Sequence, residues 1–237
     1  MKKNKTMRLA SLLLVLVLLS TCVISGTFAK YVTSGTASDS ARVAKWGVTV
    51  EVGTNNAFAA QYETDDDDDE IASIAYSVKS ADGTAKVVAP GTSGTLLTSK
   101  ITGTPEVAVN VKRAGTFTLS ADWVQGDNGY CPLIITVGTT EYKWGTAYTP
   151  AGGSAKNIAS IADFNEAINT AINKEANYGP NTSLASTDDI SITWAWPFNG
   201  TAPNGKEAWD VNDTKIGDLD TAPTIACSLT TTVTQID

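Results

Sequence analysis

From Val48 onward the chain is organised by short runs in which apolar and polar side chains alternate. Val48, Val50 and Val52 point one way and Thr49 and Glu51 the other, a period of two that predicts a strand with one buried face. The pattern recurs over residues 71–78, 86–88, 107–111, 117–123, 133–137, 140–143, 190–196 and 225–236. Two of these runs are the most regular. Ile190, Ile192, Trp194 and Trp196 alternate with Ser191, Thr193 and Ala195, and Ile225, Cys227, Leu229 and Val233 share one face of the last run. Turn residues punctuate the series at Ala81-Asp82-Gly83, Ala89 to Gly94, Gly103-Thr104-Pro105, Ala114-Gly115 and Gly126 to Gly129. Gly138-Thr139 predicts a tight hairpin.

One segment follows a helical period instead. Ile161, Phe164, Ile168, Ala171 and Ile172 fall on one face, and Ser160 followed by Asp163 makes a capping box. Gly179-Pro180 stops the pattern, which predicts a helix over about residues 160–178 with Lys174 near its negative end. Nine or ten short strands with one inserted amphipathic helix predict an all-β, two-sheet sandwich of jelly-roll type. Residues 45–237 are expected to form a single domain.

The first 29 residues have a different grammar. Lys2, Lys3, Lys5 and Arg8 precede an apolar run from Leu9 to Ile24, and small residues lead to Gly26-Thr27-Phe28-Ala29. This is the order of a secretory signal peptide, with cleavage expected between Ala29 and Lys30. A retained membrane anchor and lipid attachment at Cys22 are the competing readings of the same run. Residues 30–44, rich in Ser, Thr, Gly and Ala, cannot build a core, so they are expected to form a mobile arm whose bulkiest anchors include Tyr31, Val32 and Val43.

Charge and composition narrow the chemistry. The 237-residue chain has a net charge of −8, and its four leader cations exceed any acid there, so the remainder is more acidic still. Such a surface repels nucleic acid and anionic lipid. There is no His in the sequence, which removes Ser-His-Asp and Cys-His pairs and the HExxH zinc helix. No catalytic residue is expected. Cys131 and Cys227 either close a disulfide or stand as two separate buried thiols. The acidic run from Asp65 to Glu70 reads as a solvated loop or a weak calcium site. Asp210, Asn212, Asp213 and Asp218 form the most site-like cluster, either a calcium loop or a loop whose side chains cap its own turns. Trp194, Trp196, Phe198 and Trp209 offer a sugar platform, whereas alternation puts Trp194 and Trp196 on the core face with Ile190 and Ile192.

Several stretches together resemble SipW-dependent exported proteins, the TasA and camelysin-like group of Gram-positive bacteria. They are GTFAKYVTSGTASDSARVAKWGVTV, APGTSG, TPEVAVNV, YCPLIITV, ITWAWPF followed by DVNDTKIG, and the closing TTTVTQID. The resemblance implies a jelly-roll subunit, cut by a signal peptidase of the SipW type, that assembles outside the cell into biofilm-matrix fibres. It also implies that residues 30–44 act as a donor strand completing the sheet of the next copy, so that the principal partner is the chain itself. The alternative is a monomeric surface module that binds a glycan or protein. A camelysin-like protease activity is not carried over, because the chain lacks His.

Overall fold

The computed structural model describes residues 5–28, 41–53, 57–63, 76–184 and 189–236. The chain divides into two compact units, Met1–Val43 and Ala44–Asp237. In the first, α1 (Lys5–Phe28) covers most of the segment with signal-peptide grammar, and its side chains from Leu9 to Leu19 are exposed. Among the described residues no helix is long and apolar enough to cross a membrane. Ala29, Lys30, Tyr31 and Val32 lie outside the described residues, as does the acidic run. Val43 is 92% exposed.

The second unit is mostly β, with every strand pair antiparallel. One sheet has five strands in the order β1 (Thr49–Gly53), β4 (Thr92–Thr102), β11 (Ile190–Trp196), β6 (Ile134–Val137) and β7 (Thr140–Tyr142). A second runs β10 (Lys174–Tyr178), β5 (Val109–Leu119) and β12 (Ile225–Gln235). Two small ribbons pair β2 (Gln61–Tyr62) with β3 (Val78–Lys79), and β8 (Ala147–Tyr148) with β9 (Lys156–Asn157). Two helices complete the unit, α2 (Ile161–Ile172) and α3 (Trp209–Gly217).

The two larger sheets share one core. Leu97, Ile135, Ile192 and Trp194 from the first pack with Phe117 and Leu119 from the second, and with Phe164, Ile168 and Ile172 of α2. A smaller cluster joins Ile101, Val109, Val111 and Leu184, covered by Val48, Val50 and Val233. A bulge fits β4 to this core. Ile192 pairs with Leu97 but Thr193 pairs with Thr95, leaving Leu96 as the extra residue. Both leucines are therefore buried in succession, which strict alternation forbids.

The structure corrects the sequence reading at four places. The helix ends at Ile172, not near residue 178, and Lys174 opens β10 instead of closing α2. Ala114-Gly115 is no turn, because β5 runs straight through it. A Cβ at Gly115 would sit 2.6 Å from the Ser228 carbonyl oxygen and 2.7 Å from Ile172 Cγ2, so the glycine serves close packing and not a change of direction. Residues 121–123 form a single 3-10 turn that buries Trp123, whose Nε1 donates to the Thr224 carbonyl at 3.0 Å. Of residues 86–88, Val87 alone bridges to Ala59. The α2 cap is as expected: the Asp163 N–H donates to Ser160 Oγ at 3.1 Å. Lys156 lies 2.9 Å from Asp163 and 2.7 Å from Glu166. That ammonium, with the Ser160 hydroxyl, holds the Asp163 carboxyl down at about 2.

Candidate functional sites: an open sheet edge and an aromatic cleft

The edge of β5 that faces away from β12 is covered by one continuous stretch of chain. Lys174 to Tyr178 pair with Arg113 to Val109 as an ordinary strand. Beyond Arg113 the cover becomes helical. The amide N–H groups of Gly115, Phe117 and Leu119 donate to the side-chain oxygens of Asn173, Asn169 and Asn165, at 2.9, 2.7 and 2.8 Å. The same three asparagines return their Nδ2 groups to the carbonyls of Gly115, Phe117 and Leu119, at 3.0, 3.0 and 3.2 Å. Each carboxamide therefore acts as a detached peptide group. The spacing makes this work, since four helical residues rise about 6.0 Å and two strand residues about 6.6 Å.

This row fixes the direction of every peptide in β12. Odd-numbered residues of β5 face β10 and α2, so even-numbered ones face β12, where Thr116 opposes Ser228 and Thr118 opposes Ala226. The bonds at either end agree: Ser120 N–H donates to Thr224, and Ile236 N–H donates to Ala108. The peptide groups of Ile225, Cys227, Leu229, Thr231, Val233 and Gln235 consequently point outward. Among the described residues no strand pairs with that edge. The strand is eleven residues long and contains no charged residue, Gly or Pro. Those are the usual devices that keep an edge from pairing with another chain.

The second site is a cleft of about 690 Å³. Four separate segments build it: residues 130–134 leading into β6, residues 143–146 after β7, the loop after β11, and the first turn of α3. Its aromatic members are Tyr130, Trp144 and Trp209. The Tyr130 and Trp209 rings stand 5.6 Å apart, and the loop lies on Trp209 so closely that a Cβ on Gly200 would come within 2.7 Å of the indole. Lys206 Nζ sits 5.9 Å from the centre of the Trp144 ring. Tyr130 Oη and Trp209 Nε1 are the two buried side-chain polar atoms without a hydrogen-bond partner among the described residues. Such an atom costs about 1–3 kcal/mol. Burial, with Asp213 and Asp210 nearby, pushes the Tyr130 hydroxyl up and keeps it protonated.

The cluster read as either a calcium loop or a self-capping loop is neither a loop nor, among the described residues, a gathering of metal ligands. Asp210, Asn212 and Asp213 lie on α3, and Asp218 is its C-cap. Asn212 grips the Tyr130 backbone, Nδ2 donating to its carbonyl at 3.1 Å and Oδ1 accepting from its N–H at 3.4 Å. Asp213 accepts from Trp196 Nε1 at 3.1 Å. Burial pushes the Asp213 carboxyl up to about 6, against the Trp196 hydrogen bond. These side chains thus dock α3 onto the sheet. Among the described residues no three His, Cys, Asp or Glu side chains gather as a metal would require. Cys131 and Cys227 stand as free thiols. Trp194 and Trp196 are buried in the core, 1% and 3% exposed, while Trp209 belongs to the cleft.

Sequence reasoning passed over the asparagine row, although Asn165, Asn169 and Asn173 recur every four residues along one helix face. That spacing was a readable signal. Tyr130, Lys143, Trp144 and Lys206 were also missed, and no local pattern announces them. Compared with protein-family models, characterised proteins and solved structures, the chain matches none.

Proposed function

We propose that this chain is a secreted, jelly-roll-type structural subunit that polymerises outside the cell by strand addition. Residues 30–44 of one copy, freed by cleavage after Ala29, pair with β12 of the next. The carrying observation is β12 itself: eleven uncharged residues whose outer edge has no strand partner among the described residues. An added strand gains main-chain hydrogen bonds there and buries alternate side chains, among them Tyr31, Val32 and Val43 of the arriving arm. Fifteen extended residues reach about 50 Å, and β12 spans about 37 Å, so the arm is long enough. The contact joins two different surfaces and does not close on itself, which makes a filament and not a dimer. In this reading the chain has no catalytic role, its processing partner is a signal peptidase of the SipW type, and its destination is the extracellular matrix.

The test is electron microscopy and light scattering of two forms, one beginning at Lys30 and one at Ala44. The longer form is expected to make filaments and the shorter to stay monomeric. Thr231→Pro removes an outward N–H without breaking the ladder to β5, and it is expected to block assembly. Thr231 also bonds Ser99 Oγ at 2.8 Å, so Thr231→Val controls for that loss and is expected to assemble. Filaments from the form lacking the arm, or a persistent monomer of the form possessing it, would refute the proposal.

A further inference from the structure

We propose that the aromatic cleft is a binding site for a short oligosaccharide carrying a carboxylate. The inference is independent of the fibre reading, since no residue of β12 lines the cleft. Half-buried Trp144 lines the cleft with an indole of the kind that packs against the C–H face of a pyranose ring, and Lys206 Nζ lies over that ring 5.9 Å from its centre. Trp209 Nε1, under the loop that rests on its ring, and Tyr130 Oη are buried and unpartnered among the described residues. Both can donate, and a sugar hydroxyl offers an oxygen of the kind each lacks. Asn199 and Asn204 add amides able to donate and accept.

Charge selects an acidic ligand over a neutral one. Lys143 is the one ionised residue lining the cleft. Neither Lys143 nor Lys206 has an ion pair among the described residues, in a chain whose net charge is −8. Lys143 on the wall and Lys206 beside Trp144 place positive charge at the cleft, set against Asp210 and Asp213 near the Tyr130 hydroxyl, and favour an anion at the lysine side over a neutral glycan. A proline-rich peptide would use the aromatic faces but leave both cations and the two buried donors unanswered.

The experiment is a titration of the full chain with oligogalacturonate, read by tryptophan fluorescence and calorimetry, beside maltohexaose and a proline-rich peptide. Oligogalacturonate is expected to bind saturably and about tenfold or more tighter than maltohexaose. Trp144→Ala is expected to weaken it about tenfold, the size of one lost aromatic contact. Lys143→Gln should weaken it less and flatten its salt dependence. Tyr130→Phe keeps the ring and removes the hydroxyl, and a fewfold loss is expected. Trp46→Ala, an exposed indole outside the cleft, should leave binding unchanged. The proposal is overturned by absence of saturable uronate binding, by unaltered affinity in Trp144→Ala and Lys143→Gln, or by equal or tighter binding of maltohexaose or the peptide.

Discussion

Asn169→Ala isolates the central rung of the asparagine row. The side chain answers both peptide groups of Phe117, accepting from its N–H at 2.7 Å and donating to its carbonyl at 3.0 Å. Neither group can turn to β12, because odd-numbered peptides of β5 face the other way. Truncation therefore strands a donor and an acceptor beside a half-buried helix face. At about 1–3 kcal/mol per stranded group, offset by about 0.5 kcal/mol from the better helix propensity of Ala, the net loss is about 1.5–5.5 kcal/mol. Asn173 makes the same pair of bonds to Gly115 at an exposed position, where water substitutes, so Asn173→Ala should cost about 1 kcal/mol or less. Urea unfolding followed by tryptophan fluorescence measures both, with the midpoint shift converted at constant slope. Asn169→Asp adds a sharper control. It keeps the acceptor but sets a carboxylate against the Phe117 carbonyl, so its penalty should shrink as acid protonates it. Equal losses at positions 169 and 173, or a loss below about 0.5 kcal/mol at 169, would refute the idea that these amides replace a strand.

Asp213, pushed up to about 6 by burial, titrates well above an unfolded carboxylate near 4, so its contribution is present in full below about pH 4 and is lost as pH rises through about 6. Wild type should therefore lose stability relative to Asp213→Asn between those values, read as the difference in urea midpoint across a pH series. Burial pushes the Cys131 thiol up to about 12 and the Cys227 thiol to about 11. In the form beginning at Lys30, which lacks Cys22, maleimide near neutral pH should label Cys131 slowly in the native state and both thiols at once in denaturant, with no reductant added. Intact mass decides it, and an unlabelled denatured chain would mean a disulfide.

What was legible in the sequence is what one element dictates by itself. Residues 190–196 and 225–235 each keep one face on the core and one face off it, so strict alternation gave their type and facing. The 134–142 hairpin was equally local, with Gly138 at φ 64° in the turn. Failures came where a neighbour, not the segment, set the conformation. Gly115 carries a turn signal yet exists to admit Ile172. Residues 174–178 continued the helical grammar of α2, but the open edge of β5 offered a full set of strand bonds and won. Asp210 to Asp218 resembled a cation loop because α3 is a short helix without a side-chain cap, whose polar groups grip Tyr130 and Trp196 instead of solvent. The cleft was unreadable for a simpler reason: its walls come from segments up to about eighty residues apart, and only the fold brings them together.

The two sides of β5, the central strand of the three-stranded sheet, and the outer side of β12 receive different treatment, which bears on the polymer reading. Along β5 the chain seals every outward peptide, first with the β10 backbone and then with three asparagines. Along β12 the described residues seal none, although this edge is as long as β5 itself. Among the described residues β1, β7 and β10 also end their sheets, but each is five residues or shorter and carries a charged side chain, so under the proposed reading β12 is the edge suited to an arriving strand. Amide exchange reads this residue by residue. In a monomer lacking the arm, the N–H groups of Cys227, Leu229, Thr231 and Val233 should exchange rapidly, while those of Ala226, Ser228, Thr230 and Thr232 are protected by β5. Assembly should protect the odd set and leave the even set as it was. Protection of both sets in that monomer would mean that β12 is already covered from within, and strand addition would have no place to begin.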